Sequence, residues 1–362
     1  MKFIDEFRNA EHVKTLANYI GRQAAKTGDR LRFMEVCGGH TMAIHRFGLP
    51  QLLPENIELL SGPGCPVCVT PTSYIDRAIE LGQDGMLVTT FGDLYRVPGS
   101  QQSLEEASAT GEIDVQVVYS PRDALKAARE NPERNVVFLA IGFETTTPTV
   151  AATLLEARED NKGNFQVLCG HKTMPPALRS LLEAPEVALD GFILPGHVCT
   201  ISGVEPFKFI PQEFGVPCCI TGFEPGDILA SILSLTELCV RGEPEVENTY
   251  GRAVRLDGNK KARALIDRIM LSATARWRGV GVIPASGLDL GPKWNEYRLA
   301  PPDPNLVTPQ STACRCDEIL RGLIQPPECP LFGKTCTPEN PVGPCMVSSE
   351  GSCAAYHKYN RH

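Results

Sequence analysis

Residues 136–142, VVFLAIG, and residues 149–160, TVAATLLEARED, form the stretch that decides the fold class of this chain. The first run is apolar throughout, apart from its final glycine, which is typical of a strand buried on both faces. The second repeats apolar residues at a spacing of three to four and carries charges between them, which indicates an amphipathic helix. A buried strand followed by a helix predicts a parallel βα unit.

The same alternation of short apolar runs and periodic helical segments extends in both directions from this unit. Further strands are predicted at 32–36, 57–62, 85–90, 115–120, 165–170, 191–196 and 216–222, and further helices at 73–81, 103–111, 122–130 and 176–184. Strands that alternate with helices favour an α/β fold whose parallel sheets are covered by helices on both faces.

Three short landmarks recur at a constant offset of 132 positions, which indicates an internal duplication. Cys37-Gly38 matches Cys169-Gly170, Pro63-Gly64-Cys65 matches Pro195-Gly196-His197, and Phe91 matches Phe223. Each landmark follows a predicted strand, so we expect two similar α/β domains, at residues 31–120 and 121–250. Because open α/β sheets bind ligands at the carboxyl ends of their strands, we expect the Cys- and His-bearing loops to share one cleft.

Length and charge exclude several classes of protein. A chain of 362 residues has room for about two to three domains. With a net charge of -8, the chain lacks the positive electrostatic field that nucleic-acid binding requires. The N-terminal segment predicts an amphipathic helix rather than a signal peptide, and no apolar run approaches the ~20 residues that span a bilayer. We therefore expect a cytoplasmic protein, monomeric when alone, with neither a nucleic acid nor a membrane as its partner.

The cysteine content, 14 residues, is the unusual feature of the composition. In a reducing compartment, cysteines bind metals, carry out redox chemistry or fill cores. Four of them fall in a tail interrupted by Pro and Gly: Cys329, Cys336, Cys345 and Cys353. Their wide spacing favours a 4Fe-4S cluster, whereas zinc ligands usually come as close pairs; unligated thiols are the third possibility. We expect this tail to belong to a third, partly helical domain made of residues 1–30 and 251–362.

Two further cysteine pairs have a closer spacing. Cys65-Pro-Val-Cys68 is a C-x-x-C in a Gly-Pro-Gly turn, which suits a dithiol/disulfide couple, a soft-metal site or a buried structural pair. Cys314-Arg-Cys316 either adds a second pair of ligands to the tail or is a thiol pair at the start of a helix.

Cys37-Gly-Gly-His40 places a thiol and an imidazole on one tight loop. Such a pair is either a nucleophile with its base or two iron ligands. The nearby thiols of the C-x-x-C make a hydrolytic dyad the weaker of these two hypotheses. His197 stands at the repeat position of Cys65, which favours a role as ligand or proton donor.

The chain resembles the HypD family of nickel-iron hydrogenase maturation factors in motifs that run nearly from end to end. These are MEVCGGHT, SGPGCPVCVTP, TFGDLYRVPGS, AIGFETTTP, CGHKTMPPAL, LPGHVCTISG, CRCDEILRG and the four-cysteine tail. The resemblance implies two α/β domains and a third domain with a 4Fe-4S cluster. It also implies a scaffold that assembles the Fe(CN)2CO group together with a HypC-type chaperone, while a HypE-type partner, charged by HypF from carbamoyl phosphate, delivers cyanide.

The resemblance assigns roles to individual residues. Cys37 is the thiol that transiently binds the iron carrying cyanide and CO, and His40 works beside it. Cys65 and Cys68 are the redox pair, and His197 is the histidine on the opposing domain.

In the tail, the resemblance makes Cys329, Cys336, Cys345 and Cys353 the cluster ligands. Glu350 is a polar or proton-handling neighbour. Electrons are expected to pass from the cluster to the redox pair and on to the iron or its incoming ligand. Such a protein is a metallocentre assembly factor rather than a turnover enzyme.

Two other classes of function use some of the same residues. A cluster-linked thiol-disulfide oxidoreductase acting on a protein disulfide would need the tail and the C-x-x-C, but not Cys37-Gly-Gly-His40. A zinc-stabilised binding protein would use the tail alone and have no redox role.

Overall fold

The structure is a computed structural model that describes residues 4–307 and 313–360. The predicted N-terminal amphipathic helix is confirmed over Ala10–Ala24, while the first three residues of that predicted segment lie outside the described residues. None of the described helices is long and apolar enough to cross a membrane.

The strands and helices alternate as the apolar periodicity predicts. The strands are β1 (Leu31–Glu35), β2 (Ile57–Ser61), β3 (Leu87–Thr90), β4 (Asp114–Val117), β5 (Val136–Gly142), β6 (Phe165–His171), β7 (Gly191–Pro195), β8 (Cys218–Thr221), β9 (Val246–Asn248), β10 (Met270–Trp277), β11 (Gly281–Leu290) and β12 (Arg298–Leu299). The α-helices are α1 (Ala10–Ala24), α2 (Gly38–Arg46), α3 (Thr72–Gln83), α4 (Gly92–Tyr95), α5 (Leu104–Ala109), α6 (Pro121–Glu130), α7 (Thr147–Glu159), α8 (Met174–Leu182), α9 (Gly196–Ser202), α10 (Phe209–Phe214), α11 (Pro225–Arg241), α12 (Lys260–Ile269), α13 (Cys316–Leu320), α14 (Pro344–Val347) and α15 (Ser352–Tyr359). Short 3-10 helices occupy Asp5–Arg8, Leu49–Leu52, Glu205–Phe207, Pro292–Tyr297 and Pro326–Glu328.

Two five-stranded sheets form the framework of the described residues. Sheet A has the order β2-β1-β7-β8-β9, and sheet B has the order β12-β6-β5-β3-β4. All neighbouring strands in both sheets are parallel, whereas β10 and β11 form a separate antiparallel hairpin. The predicted α/β class with parallel sheets is therefore confirmed, together with a cysteine-rich C-terminal region.

The core follows from the two-residue period of the strands. In β5, Val137 and Leu139 face a core that the two sheets share, while Phe138 and Ala140 face the opposite side and pack with α6 and α7. The shared core also contains the buried C-x-x-C and tail cysteines. Those thiols are thus held where both sheets and the tail meet.

The sheets combine strands from both ranges predicted as domains. Sheet A takes β1 and β2 from 31–120 and β7 to β9 from 121–250, while sheet B takes β3 and β4 from the first range and β5 and β6 from the second. Residues 10–24 pack on α11 of sheet A rather than on the tail, with Ile20 and Ala24 in one apolar cluster with Phe33 of β1. Sequence periodicity marks strands but does not show which strands pair. The predicted domain ranges 31–120 and 121–250, which are continuous in sequence, therefore do not coincide with the two sheets.

The landmarks of the predicted duplication fall at related places. Cys37 follows β1, the second strand of sheet A, and Cys169 lies in β6, the second strand of sheet B. Phe223 follows β8, the fourth strand of sheet A, and Phe91 follows β3, the fourth strand of sheet B. The third landmark differs, because Cys65 and His197 both follow strands of sheet A. The duplication itself remains a prediction.

One predicted helix is shorter than its periodicity suggests. The apolar spacing of residues 259–274 predicts a helix over this whole segment, but α12 ends at Ile269 and Met270 begins β10. Met270 pairs with Leu290 of the neighbouring strand, so cross-strand pairing decides the conformation of these last residues.

Candidate functional site

Four loops converge at the carboxyl edge of sheet A. Because β2, β1, β7 and β8 are parallel neighbours, the residues that follow them lie side by side: Cys65, Cys37, His197 and Phe223. His197 therefore lies on the same sheet as Cys37, and its expected place on an opposing domain is corrected by the pairing of β1 with β7.

Glycines bring the Cys37 and Cys65 loops into backbone contact. The amide of Gly38 donates to the carbonyl oxygen of Gly64 at 3.0 Å. A Cβ on Gly64 would lie 2.1 Å from the backbone nitrogen of Cys37, and a Cβ on Gly38 would lie 2.5 Å from Cβ of Glu350. Only glycine allows these approaches, so the Gly-Pro-Gly and Cys-Gly-Gly-His sequences fit against each other and against the tail.

Cys37 caps the N-terminal end of α2 and is half-buried. Burial raises the pKa of its thiol to about 12, and the nearby carboxylates of Glu350 and Glu35 contribute to that rise. The thiol is therefore protonated at neutral pH unless a cation replaces the proton. A metal ion does this, because metal binding to cysteine releases its proton.

Glu35 is a buried carboxyl at the end of β1, directly behind Cys37. The amide of Cys37 donates to its Oε2 at 3.0 Å, and the hydroxyl of Thr41 donates to its Oε1. Burial raises the pKa of Glu35 to about 8 despite these bonds. Glu35 thus fixes the position of the Cys37 backbone while remaining mostly uncharged at neutral pH.

Two imidazoles stack on opposite sides of one phenyl ring. The ring of Phe223 lies 4.6 Å from that of His40 and 4.0 Å from that of His197, between ring centres. His40 is buried, and its Nε2 bonds the carbonyl oxygen of Gly222 at 2.9 Å, while its Nδ1 has no partner. Burial lowers the pKa of His40 to about 4, so the ring is neutral. A neutral imidazole that donates from one nitrogen and leaves the other free is the usual form of a metal-binding histidine.

Sheet B and the tail supply carboxylates on the other side of the site. Ser348 donates to Oδ2 of Asp93 at 2.8 Å, and its own oxygen accepts from the amide of Glu350 at 3.2 Å. Burial raises the pKa of Glu350, and the charge of Asp93 adds to the rise. Glu144, at the end of β5, interacts electrostatically with Cys199 of sheet A. Acidic groups of sheet B and the tail thus lie near thiols that follow the strands of sheet A.

The C-x-x-C lies beneath the Cys37 loop. Both thiols are buried, with Cys65 3% and Cys68 0% exposed, and the amide of Cys68 donates to Sγ of Cys65 at 3.3 Å. The thiol of Cys68 is also hydrogen-bonded to that of Cys345 in the tail. Hydrogen bonds from Cys316 and then from Cys68 lower the pKa of Cys345 to about 6. The redox motif and the tail thus share a thiol-thiol contact.

The tail cysteines gather around Cys316. Cys316 is hydrogen-bonded to Cys345 and to Cys353, and Sγ of Cys314 lies 3.2 Å from its Sγ. Gly343 leaves room for this group, because a Cβ there would lie 2.6 Å from the sulfurs of both Cys314 and Cys316. Of the predicted cluster ligands, Cys345 and Cys353 are therefore brought together with Cys316.

The other two predicted ligands lie at the margin of this group. Cys336 interacts electrostatically with Cys314 and Cys316, and its sulfur accepts from the amide of Val342 at 3.3 Å. Cys329 is buried and interacts with Arg315. No thiol-thiol hydrogen bond of the described residues includes Cys329.

Comparison with known proteins gives a match over nearly the whole chain. Residues 11–360 match the family profile HypD, described as "Hydrogenase formation hypA family". The hydrogenase maturation factor HypD of Escherichia coli is 46% identical over 370 residues, covering 100% of this chain and 99% of that protein. The proteins of the same name from Cupriavidus necator and Azotobacter vinelandii are each 45% identical, with all of this chain and 98% and 97% of those proteins covered.

The chain belongs to the HypD family of hydrogenase maturation factors. The confirmed resemblance covers every motif that forms the edge of sheet A and the tail. It does not itself assign roles to the residues, because the comparisons identify a family and not a bound metal.

Several residues of the site escape the sequence analysis. Glu35 is visible only as an acidic residue in an apolar strand, a weak signal for a buried carboxyl, and Phe223 is noted as a landmark without a role. The spacing of Cys314 and Cys316 predicts either a second pair of ligands or a thiol pair at the start of a helix. Arg278 has no signal in the sequence. Its guanidinium is buried, donates from Nε to the carbonyl oxygen of Thr70 at 2.8 Å, and interacts with several of the cysteine thiols.

Proposed function

We propose that this protein is a scaffold on which the Fe(CN)2CO group of nickel-iron hydrogenase is assembled, together with a HypC-type chaperone. The observation that carries the proposal is an unbroken series of contacts between thiol loops. The Cys37 loop packs on the Gly64 backbone beside Cys65, and the other cysteine of that motif, Cys68, is hydrogen-bonded to Cys345 of the tail.

The iron is the cargo of this scaffold, and Cys37 is its proposed thiolate ligand. His40 offers an Nδ1 with no hydrogen-bond partner among the described residues, and the rings of His40 and His197 both stack on that of Phe223. In the described part of the chain, no three Cys, His, Asp or Glu side chains converge on one ion position. The remaining ligands must then come from cyanide, CO and the partner, which explains why a scaffold of this kind would work with a chaperone.

The chemistry of the tail fits a 4Fe-4S cluster. Cys329, Cys336, Cys345 and Cys353 are the proposed ligands, all four are buried, and Cys316 is a fifth thiol in contact with two of them. Each thiolate of a cubane binds a different iron, so the ligands need not converge on one point as they do around zinc. Such a cluster, when bound, supplies electrons one at a time.

The buried guanidinium of Arg278 complements these thiols. It interacts with Cys68, Cys314, Cys316 and Cys345, which it would stabilise as thiolates. Hydrogen bonds to the carbonyl oxygen of Thr70 and the hydroxyl of Thr72 hold it in place. The site therefore carries its own countercharge for a set of negative ligands.

The C-x-x-C is proposed to cycle between dithiol and disulfide. In this proposal, closing the bond between Cys65 and Cys68 passes two electrons to the iron or its incoming ligand and releases two protons next to the Cys37 loop. Two one-electron transfers from the tail cluster, with uptake of two protons, would reopen the pair. The acidic groups Glu350 and Glu35, whose pKa values are raised, are placed to take up or return protons there.

Burial argues against the alternative oxidoreductase. Attack on a protein disulfide needs an accessible thiolate, but Cys65 and Cys68 are 3% and 0% exposed. Cys37 and the exposed His197 are the groups that reach the surface of the cleft. A HypE-type cyanide donor is therefore expected to dock over the Cys37 loop.

The test is anaerobic purification of the full chain, alone and with a HypC-type partner, followed by iron and sulfide analysis and infrared spectroscopy. We expect about four cluster irons and four sulfides per chain, plus CO and cyanide stretching bands in the complex. Cys37→Ala should remove the bands and keep the cluster. Cys239→Ala, which changes a half-buried cysteine on α11, is the matched control and should keep both.

Two results would change the proposal. A cluster that never shows the infrared bands, whatever the partner, favours the oxidoreductase. Zinc in place of iron excludes both redox functions. Comparing Cys316→Ala with Cys329→Ala then shows which of these two thiols the cluster requires.

A further inference from the structure

A cavity of about 90 Å³ lies where the end of β6 meets the β10–β11 hairpin. His171 and Lys172 form one wall, and Tyr74 and Arg276 contribute to the others. Lys172 forms a bridge with Gly287 of the hairpin, so the hairpin closes over the cavity. The cavity contains none of the residues proposed to bind iron or the cluster, and it is large enough for a few waters or one small molecule.

Lys172 is a buried lysine of the cavity wall. Its side chain is 4% exposed, and it makes no ion pair with any of the described residues. Its Nζ lies 5.6 Å above the ring of Trp277, which offers only a weak interaction. Burial lowers its pKa to about 7. A lysine in such a place is costly unless an anion joins it.

His171, the neighbouring residue, is 1% exposed, and neither of its ring nitrogens has a hydrogen-bond partner. Buried polar atoms are rarely left without partners, because an unmade hydrogen bond in the interior is costly. Both buried side chains line the same cavity. Together they provide an amino group and an imidazole N–H for which the described residues offer no hydrogen-bond acceptor.

Of the two acidic side chains of the cavity wall, Asp289 is paired with a cation and Asp303 accepts a hydrogen bond from a neutral amide. Asp289 pairs with Arg298 at 2.6 Å, and Asp303 accepts from the amide of Asn305 at 2.8 Å. Arg276 adds a second positive charge to the wall. Besides the carboxylate of Asp303, the groups of the wall that can meet a ligand are thus Lys172, Arg276 and the ring nitrogens of His171.

From these groups we infer that the cavity is a binding site for a small oxyanion, a carboxylate or phosphate that accepts hydrogen bonds from Lys172 and His171. This inference concerns a second site and does not rest on the proposed function. The limited volume favours ions of a few heavy atoms over nucleotides or sugars.

The test uses the fluorescence of Trp277, whose ring is next to Lys172. The full chain is titrated with sodium formate, sodium acetate and inorganic phosphate, with chloride holding the ionic strength constant. We expect a saturable change in fluorescence and a matching rise in the melting temperature for at least one anion. The anion that binds most tightly distinguishes a carboxylate from a phosphate ligand.

Variants of Lys172 separate this site from general effects of salt. Lys172→Met should weaken binding about tenfold or more, and Lys172→Arg should restore most of it. Lys126→Met, which removes an exposed lysine on α6, should bind as the original chain does. If Lys172→Met does not fold, His171→Gln provides the same test. The inference is overturned if no anion gives a saturable response, or if Lys172→Met and His171→Gln respond like the original chain.

Discussion

The replacement Gly64→Ala tests whether the contact between the Cys37 and Cys65 loops holds the site together. The new methyl group would lie 2.1 Å from the backbone nitrogen of Cys37, 2.4 Å from the carbonyl carbon of Val36 and 2.5 Å from Cα of Cys37. Ordinary contacts of this kind begin at 3.4 Å. Because all three neighbours are backbone atoms, no side chain can rotate away, and the two loops must separate by about 1 Å.

The expected loss of stability follows from this overlap. Adding one methyl group to a well-packed interior costs about 1–3 kcal/mol, and contacts with backbone atoms place this case at the upper end. We therefore expect Gly64→Ala to lower the free energy of unfolding by about 3 kcal/mol. The separation also displaces Cys37 from Glu35, whose carboxylate accepts from the Cys37 amide.

Two measurements check these effects. Urea unfolding reports the change in stability, and alkylation by iodoacetamide, followed by mass spectrometry, reports the local exposure of Cys37. Cys37 should react faster in Gly64→Ala, because its burial is reduced. Gly21→Ala is the matched control: a Cβ on Gly21 meets no atom within 4 Å, and the residue lies inside α1. That variant should gain about 0.5–1 kcal/mol without any change at Cys37.

The reasoning is refuted if Gly64→Ala unfolds at the same urea concentration as the original chain and its Cys37 reacts at the same rate. A loss of stability without a change at Cys37 would show that the strain is relieved elsewhere in the Gly-Pro-Gly turn.

Two further predictions concern buried carboxyl groups. Asp227→Asn should lower the free energy of unfolding in urea by about 3 kcal/mol, because both oxygens of this buried carboxylate bind Arg252, at 2.7 and 2.6 Å. Asp114→Asn, which changes an exposed carboxylate, should lower it by less than about 0.5 kcal/mol. Equal losses in the two variants would contradict the role of burial. The pKa of Glu35 is about 8 in the folded chain and about 4.5 in the unfolded chain, so between these values the folded chain holds a proton that the unfolded chain has lost. The free energy of unfolding therefore falls as the pH rises through this range, by at most about 1.4 kcal/mol per pH unit. Glu35→Gln should flatten the decline of the unfolding free energy between pH 6.5 and 8, and an unchanged slope would show that Glu35 is ionised in the folded chain.

The apolar periodicity of the sequence predicts eight of the ten strands of the two sheets, β1 to β8, because a buried strand is a run of apolar residues. It does not predict the edge strands β9 and β12, which have only three and two residues. It also predicts the loops of the site, since Cys37, Cys65 and His197 each follow such a strand. It does not predict the length of α12, where cross-strand pairing overrides helical periodicity at Met270.

A local sequence pattern does not show which strands belong to which sheet. The pairing of β1 with β7, which puts His197 beside Cys37, joins residues about 160 positions apart and depends on which strands can share a core. The positions of Arg278 and Glu35 among the thiols have the same origin, since burial of a charge is a property of the packed neighbours and not of the residue type.

The sequence by itself determined the α/β class, the family and the residue types that carry the chemistry, because hydrophobic period, glycine turns and cysteine spacing are local properties of the chain. Only the tertiary structure decided that Cys68 contacts Cys345, that Cys316 lies between Cys345 and Cys353, and that Lys172 is buried. These are contacts between distant segments, and their energies arise only when packing removes water from around the thiols and charges.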